Sequence, residues 1–198
     1  MRGIWAATTL VASGAALLIG CASSPESSAP SPAPTRMPTP TATAVAPAWS
    51  DDAQSDLLRV LDDTAAAAEK TGYTETWIMA SGSTLQRVLD PALPSAEQVA
   101  ERASGQSATL IERDRLLTSV LQGWVLTHST PAGTTRDGET FTTVVDNPTV
   151  DVMVVETRNG LVHEIRDYVT GSDIPVTVIT VELAVTRESR TVLEEAAG

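Results

Sequence analysis

Apolar and polar positions recur with two different periods along this chain, and the change of period predicts its elements. Between Asp51 and Thr71, the positions Leu57, Leu58, Val60, Leu61, Thr64, Ala65 and Ala68 make one stripe at helical spacing. Ser50 stands where a cap is needed, Asp51 and Asp52 suit the positive end of the helix dipole, and Gly72 follows as a stop. This predicts a helix over 51–71 with a single buried face. Residues 72–90 read as two strands about the Ser81-Gly82-Ser83 turn. "PSAEQVAERA" carries a capping-box pattern, Ser95 with Gln98, and predicts a short helix. After Gly105, Leu110, Ile111, Leu116, Leu117, Val120 and Leu121 predict a second helical segment that Gly123 ends.

From Trp124 onward the pattern is that of strands. "WVLTHST", "ETFTTVVD", "VDVMVVET", "LVHEIRDYV" and "IPVTVITVELAV" are rich in β-branched residues, and turn signals separate the later ones at Asp137-Gly138, Asn147-Pro148, Asn159-Gly160 and "TGSD". Asn159-Gly160 between two apolar strands is the strongest short-range hairpin signal in the chain. "RESRTVLEEAAG" closes with a short helical pattern. The predicted class is α+β. A curved antiparallel sheet of about six or seven strands packs on the long N-terminal helix and a helical insertion, all in one domain over 49–198.

Composition changes the picture before residue 49. Seven of the twelve prolines fall in 22–48, with Ser, Thr and Ala filling most of the remainder. Such a segment has too little apolar surface to offset its ordering entropy, so it reads as a disordered tether with an extended reach of roughly 80 Å. Ahead of it, Arg2 is followed by an uncharged Ala- and Leu-rich run from Ile4 to Gly20, the signature of a secretory signal peptide over 1–20. Ser and Pro follow in place of a basic stop-transfer cluster. Leu18-Ile19-Gly20-Cys21 matches the lipobox of bacterial lipoproteins, and Cys21 is the only cysteine in the chain. The resemblance implies that a diacylglyceryl group joins the Cys21 sulfur and that the mature chain begins there. The expected location is the extracytoplasmic face of the cell membrane, and two or more acyl chains suffice for stable anchoring.

Charge excludes one class of partner. Of 25 acidic and 13 basic residues, only Glu26, Arg2 and Arg36 precede residue 49, leaving 24 against 11 in the domain. Nothing there would neutralise the phosphates of a nucleic acid. Lys70 is the sole lysine, and with abundant Ala, Val and Thr this usage suits a GC-rich actinobacterial genome. Chemistry is sparse. His128 and His163 stand 35 positions apart without metal-ligand spacing, no Gly-rich phosphate loop occurs, and "ASGST" has one glycine where a nucleophile elbow needs more. A two-residue turn at Asn159-Gly160 would set Arg158 opposite Leu161, Glu156 opposite His163 and Val154 opposite Ile165. A carboxylate beside an imidazole begins an acid–base unit, but no nucleophile accompanies it, and the pair reads as a cross-strand polar contact. The expectation is a protein without catalytic residues, metal or cofactor.

"LLTSVLQGW", "DGETFTTVV", "VDVMVVETRNGLVHEIRDY" and "VTVITVEL" together resemble the latter half of the LolA-like superfamily, in particular the LppX/LprG-type lipoproteins of actinobacteria. The resemblance implies a half-barrel: an antiparallel sheet curved round helices, enclosing an apolar cavity for the acyl chains of a lipid or glycolipid. Trp77, Met79, Met153, Val154 and Ile165 are the candidate lining of that cavity. An NTF2-like or cystatin-like cone is the alternative fold. The two functions carried forward are binding or carriage of an apolar ligand between helix and sheet, and a lipid-anchored module that binds an envelope protein partner.

Overall fold

The computed structural model describes residues 47–198. The expected signal peptide, Cys21 and the tether up to residue 46 lie outside the described residues. Helix α1 spans Ala53–Thr71. Asp52, not Ser50, caps it, accepting from the Gln54 and Ser55 amides at 3.0 and 3.2 Å. Ser50 lies outside the cap, its Oγ accepting from the Asp52 amide at 3.2 Å and its own amide held by Asp56 at 2.8 Å. Strands β1 (Tyr73–Met79) and β2 (Thr84–Leu89) flank the expected turn, followed by β3 (Val99–Ala103) and β4 (Thr109–Leu110). Helix α2 covers Leu117–His128. Strands β5 (Thr134–Asp137), β6 (Thr140–Val144), β7 (Val152–Arg158), β8 (Leu161–Tyr168) and β9 (Thr177–Glu182) follow, and α3 (Arg187–Ala197) closes the chain.

The nine strands of the described residues form one open antiparallel sheet in the order β4-β3-β2-β1-β9-β8-β7-β6-β5. The last strand slots between β1 and β8, joining the two halves of the chain into one sheet. Helices α1 and α2 lie side by side on its inner face. Their contacts run in opposite senses, Gln54 to Ser129, Asp62 to Gln122 and Glu69 to Arg113, so the pair is antiparallel. Leu57, Val60 and Leu61 of α1 and Leu117, Leu121 and Val125 of α2 share one core with Phe141, Met153, Val155, Ile165 and Ile179. Each such side chain, fully buried, contributes about 1.5–3 kcal/mol. Helix α3 packs on the opposite, outer face at the β2–β4 end, where Val192 and Leu193 meet Val88 and Ala100.

The expected α+β class holds, with nine strands where about six or seven were expected. Three differences have physical causes. The capping box fails: Ser95 starts a single turn of 3-10 helix, and the Gln98 amide reaches back to the Pro91 and Leu93 carbonyls. Residues 99–103 are then drawn into β3 by pairing with β2, Glu101 standing opposite Arg87. Trp124 to His128 of "WVLTHST" form the end of α2, because the apolar spacing Leu117-Leu121-Val125 runs straight through Gly123, which faces open space. The helix expected to begin after Gly105 accordingly starts only at Leu117.

The third difference is a register shift in β7–β8. Asn159 and Gly160, both at positive φ, make the turn and set Arg158 opposite Leu161 as expected. A β-bulge then places Glu156 opposite Glu164 and Val155 opposite Ile165. The expected pairings of Glu156 with His163 and of Val154 with Ile165 are therefore wrong. Val162 and Ile165 are both buried yet three residues apart, and one extra residue is required for both to face inwards.

Gly72, at φ +85° and ψ 170°, joins α1 to β1 in a region open almost only to glycine. A Cβ there would lie 2.5 Å from Val185 Cγ2 and 3.2 Å from the Leu89 carbonyl oxygen. Gly72→Ala is expected to lower the unfolding free energy by about 2 kcal/mol, read as a shifted urea midpoint at unchanged slope.

Candidate functional site

Strand β1 reads Tyr-Thr-Glu-Thr-Trp-Ile-Met, and its alternation sends Glu75 inwards in phase with Tyr73 and Trp77. Glu75 is 0% exposed. Four donors meet its carboxylate. The Tyr73 hydroxyl donates to Oε2 at 2.7 Å and the Leu117 amide to the same oxygen at 2.9 Å. The Trp77 indole N–H donates to Oε1 at 3.1 Å and Arg87 Nη1 at 3.2 Å. Leu117 is the first residue of α2, and Leu116 before it has no side chain able to cap. A carboxylate 42 positions earlier in the chain therefore serves as the N-cap of α2, where the helix dipole favours negative charge.

Arg87 stands opposite Glu75 on β2, and Glu101 opposite Arg87 on β3. Arg87 Nε donates to Glu101 at 2.6 Å and Nη1 to the Arg115 carbonyl at 2.8 Å, while the guanidinium lies 5.3 Å from the centre of the Trp77 ring. Burial raises the Glu75 pKa above its ordinary value, against the pull of its hydrogen bonds and of Arg87. Burial, then the neighbouring Glu75 charge, pushes the Tyr73 phenol well above 10.0, so it remains a donor. With every Glu75 lone pair engaged, the network holds β1, β2, β3 and the head of α2 together and leaves no free base. An open recess of about 320 Å³ lies over it, lined by Trp77, Arg87, Glu101, Asp114, Arg115 and Val120.

The five residues expected to line an apolar cavity separate. Met153 and Ile165 are fully buried core residues. Trp77 and Met79 share their face at β1, with Trp77 tied to Glu75. Val154, next to Met153 on the strand, faces the opposite side and is half-buried. Pairing aligns Trp77, Ile179, Ile165, Val155 and Phe141 across the inner face, and in the next row Met79, Thr177, Asp167, Met153 and Thr143. Asp167 is thus a carboxylate set among core residues, 8% exposed. Burial alone raises its pKa from 3.8 to about 6. His163 falls at the bulge, while Glu156 and Glu164 both pair with Arg166 on the outer face, at 2.8 and 2.5 Å. Among the described residues, no three His, Cys, Asp or Glu side chains are placed to hold a metal.

The outer face holds a groove that sequence reading missed. Pairing aligns Glu164, Thr180, Thr76, Gln86 and Arg102 there. Beside the start of α3, a recess of about 500 Å³ is lined by Thr74, Thr76, Gln86, Glu182 and Glu188, among others. A second recess of about 300 Å³ shares Thr76, Gln86 and Glu188 with it and extends to Arg102 and Ser104. The alternation of polar residues was visible in the sequence, but a solvated sheet face carries the same pattern. The chain matches no protein-family model and no curated protein.

Two outcomes follow from the buried carboxylates. Glu75→Ala strands two N–H groups, a hydroxyl and a guanidinium, and should cost about 3–5 kcal/mol in urea unfolding. Asp167 acts oppositely. Its folded pKa is raised, so the charge-linked cost of its burial is absent below both pKa values and grows as pH rises from 3.8 to about 6. A rise from 3.8 to about 6 corresponds to about 3 kcal/mol. Asp167→Asn is therefore expected to raise stability by up to about 3 kcal/mol at pH 7 and to leave it unchanged below pH 4, measured as Tm against pH.

Proposed function

We propose that this protein is a lipid-anchored, non-enzymatic envelope lipoprotein whose domain binds a protein partner through its outer sheet face. Cys21 carries the anchor, and the Pro-rich tether lifts the domain off the extracytoplasmic face of the membrane. The single observation behind the partner reading is the distribution of space. In a LolA-type half-barrel the acyl chains of a lipid or glycolipid would lie between helices and sheet. Here that layer is occupied by Leu57, Leu61, Leu117 and Leu121 packed on Met153, Ile165 and Ile179. The open recesses beside α3 are instead lined by hydroxyl, amide and charged groups, the chemistry of a protein-contacting surface. One open antiparallel sheet with α1 and α2 on its inner face is compatible with a half-barrel of that superfamily, its interior filled. The strongly acidic domain points to a partner with a basic contact surface.

The test uses the full chain in a host that processes lipoproteins. Wild type should incorporate an alkyne-tagged fatty acid and sediment with membranes, and Cys21→Ser should lose both properties. Organic extraction of the purified wild-type protein should release no stoichiometric lipid. A released lipid at one per chain would overturn the partner reading in favour of carriage, and an unlabelled wild-type chain would overturn the anchor.

A further inference from the structure

The first described residues behave as a ligand of the domain. Trp49 rests edge-on against Phe141, ring centres 5.4 Å apart at 79°. The guanidinium carbons of Arg59, on α1, and Arg136, on β5, each lie 5.3 Å from the centre of its ring. The same two arginines read the backbone on either side. Arg59 Nη2 donates to the Ala48 carbonyl at 3.1 Å, and Arg136 Nη1 to the Ser50 carbonyl at 3.0 Å. The Ser50 amide donates to Asp56 Oδ2 at 2.8 Å. Asp56 is 3% exposed and orients both cations, binding Arg59 at 3.2 Å and Arg136 as well.

Trp49 packs against the main core, and polar contacts to the backbone on either side accompany that packing. Three consecutive residues are held by one aromatic floor, two cations over one indole and hydrogen bonds to an N–H and two carbonyls. That combination recognises an extended peptide: main-chain hydrogen bonds supply register, and the indole pocket supplies selectivity. The pocket's own polar parts come from α1 and β5 and are tied to one another through Asp56 by contacts that do not involve Trp49. Pro47 continues the path along the Asn159-Gly160 turn, its ring carbons 3.4 and 3.7 Å from where a Cβ of Gly160 would stand.

We propose that the groove between α1 and β5–β6 is a recognition slot for an extended segment bearing an indole, occupied in cis by Ala48-Trp49-Ser50. The segment holds the slot shut and fastens the end of the tether to the domain. A competing Trp-bearing segment must then outweigh the effective concentration of a covalently joined one, of millimolar order.

The probe is a synthetic peptide of residues 45–51, added to the full chain. Trp49→Ala should bind it one to one, wild type at least tenfold more weakly, and the double variant W49A/R136Q not at all. A Trp49→Ala chain that melts cooperatively yet ignores millimolar peptide would overturn the slot, as would equal binding by wild type. Hydrogen exchange gives a second reading that does not depend on Trp49→Ala folding. In the wild-type chain the Ser50 amide should be protected, and Arg136→Gln should speed its exchange at least tenfold while the β8 amides stay unchanged. Unchanged exchange at Ser50 would count against the slot. Light scattering separates the source of the segment: a monomer supports the cis assignment, whereas a dimer that Trp49→Ala dissociates would place Trp49 in a second copy and overturn it.

Discussion

The Glu75 carboxylate is the constraint on which the rest of the domain depends. A buried charge is tolerated only when donors surround it, and Glu75 recruits its four from β1 itself, from β2 and from the first turn of α2. Meeting that requirement sets where α2 begins. It also sets the register in which β2 brings Arg87, and through Arg87 the pairing of β3 at Glu101. Once α2 starts at Leu117, its apolar positions fall over the inner face alongside α1, and the core closes.

A second charge cluster does similar work at the other end of α1. Asp56 gathers Arg59 from its own helix and Arg136 from β5, fastening the far edge of the sheet to the helix that crosses it. The two ends of the helical layer are thus pinned by carboxylates, and the space between is filled by aliphatic side chains. Asp167 is the exception. It lies in the same face between Met153 and Thr177 with only burial acting on it, a destabilising element that packing elsewhere outweighs.

This arrangement bears on function through what it leaves open. A sheet whose inner face is largely covered by two helices presents its outer face, and α3 covers only the β2–β4 end of that face. The groove beside α3 is bordered by threonines, Gln86, the carboxylates Glu182 and Glu188 and the guanidiniums of Arg102 and Arg187, a surface suited to polar contacts. The pocket at Trp49, by contrast, is already occupied by the chain itself.

Local sequence was sufficient wherever one short-range rule acts alone. The stripe from Leu57 to Ala68 determined α1, Asn159-Gly160 determined its hairpin, and β-branched residues between turn signals determined β6 to β9, since each depends on neighbours within a few residues. Glu75 was legible in principle, because a glutamate in phase with Tyr73 and Trp77 on a strand must find buried partners. Which partners it finds was not, since Leu117 lies 42 positions away. Tertiary structure decided β3 over a capped helix, the continuation of α2 past Gly123 over a strand, and the bulge that parts Glu156 from His163. In each of these the local preference is worth about 1 kcal/mol or less, and burial of aliphatic side chains against a distant element outweighs it.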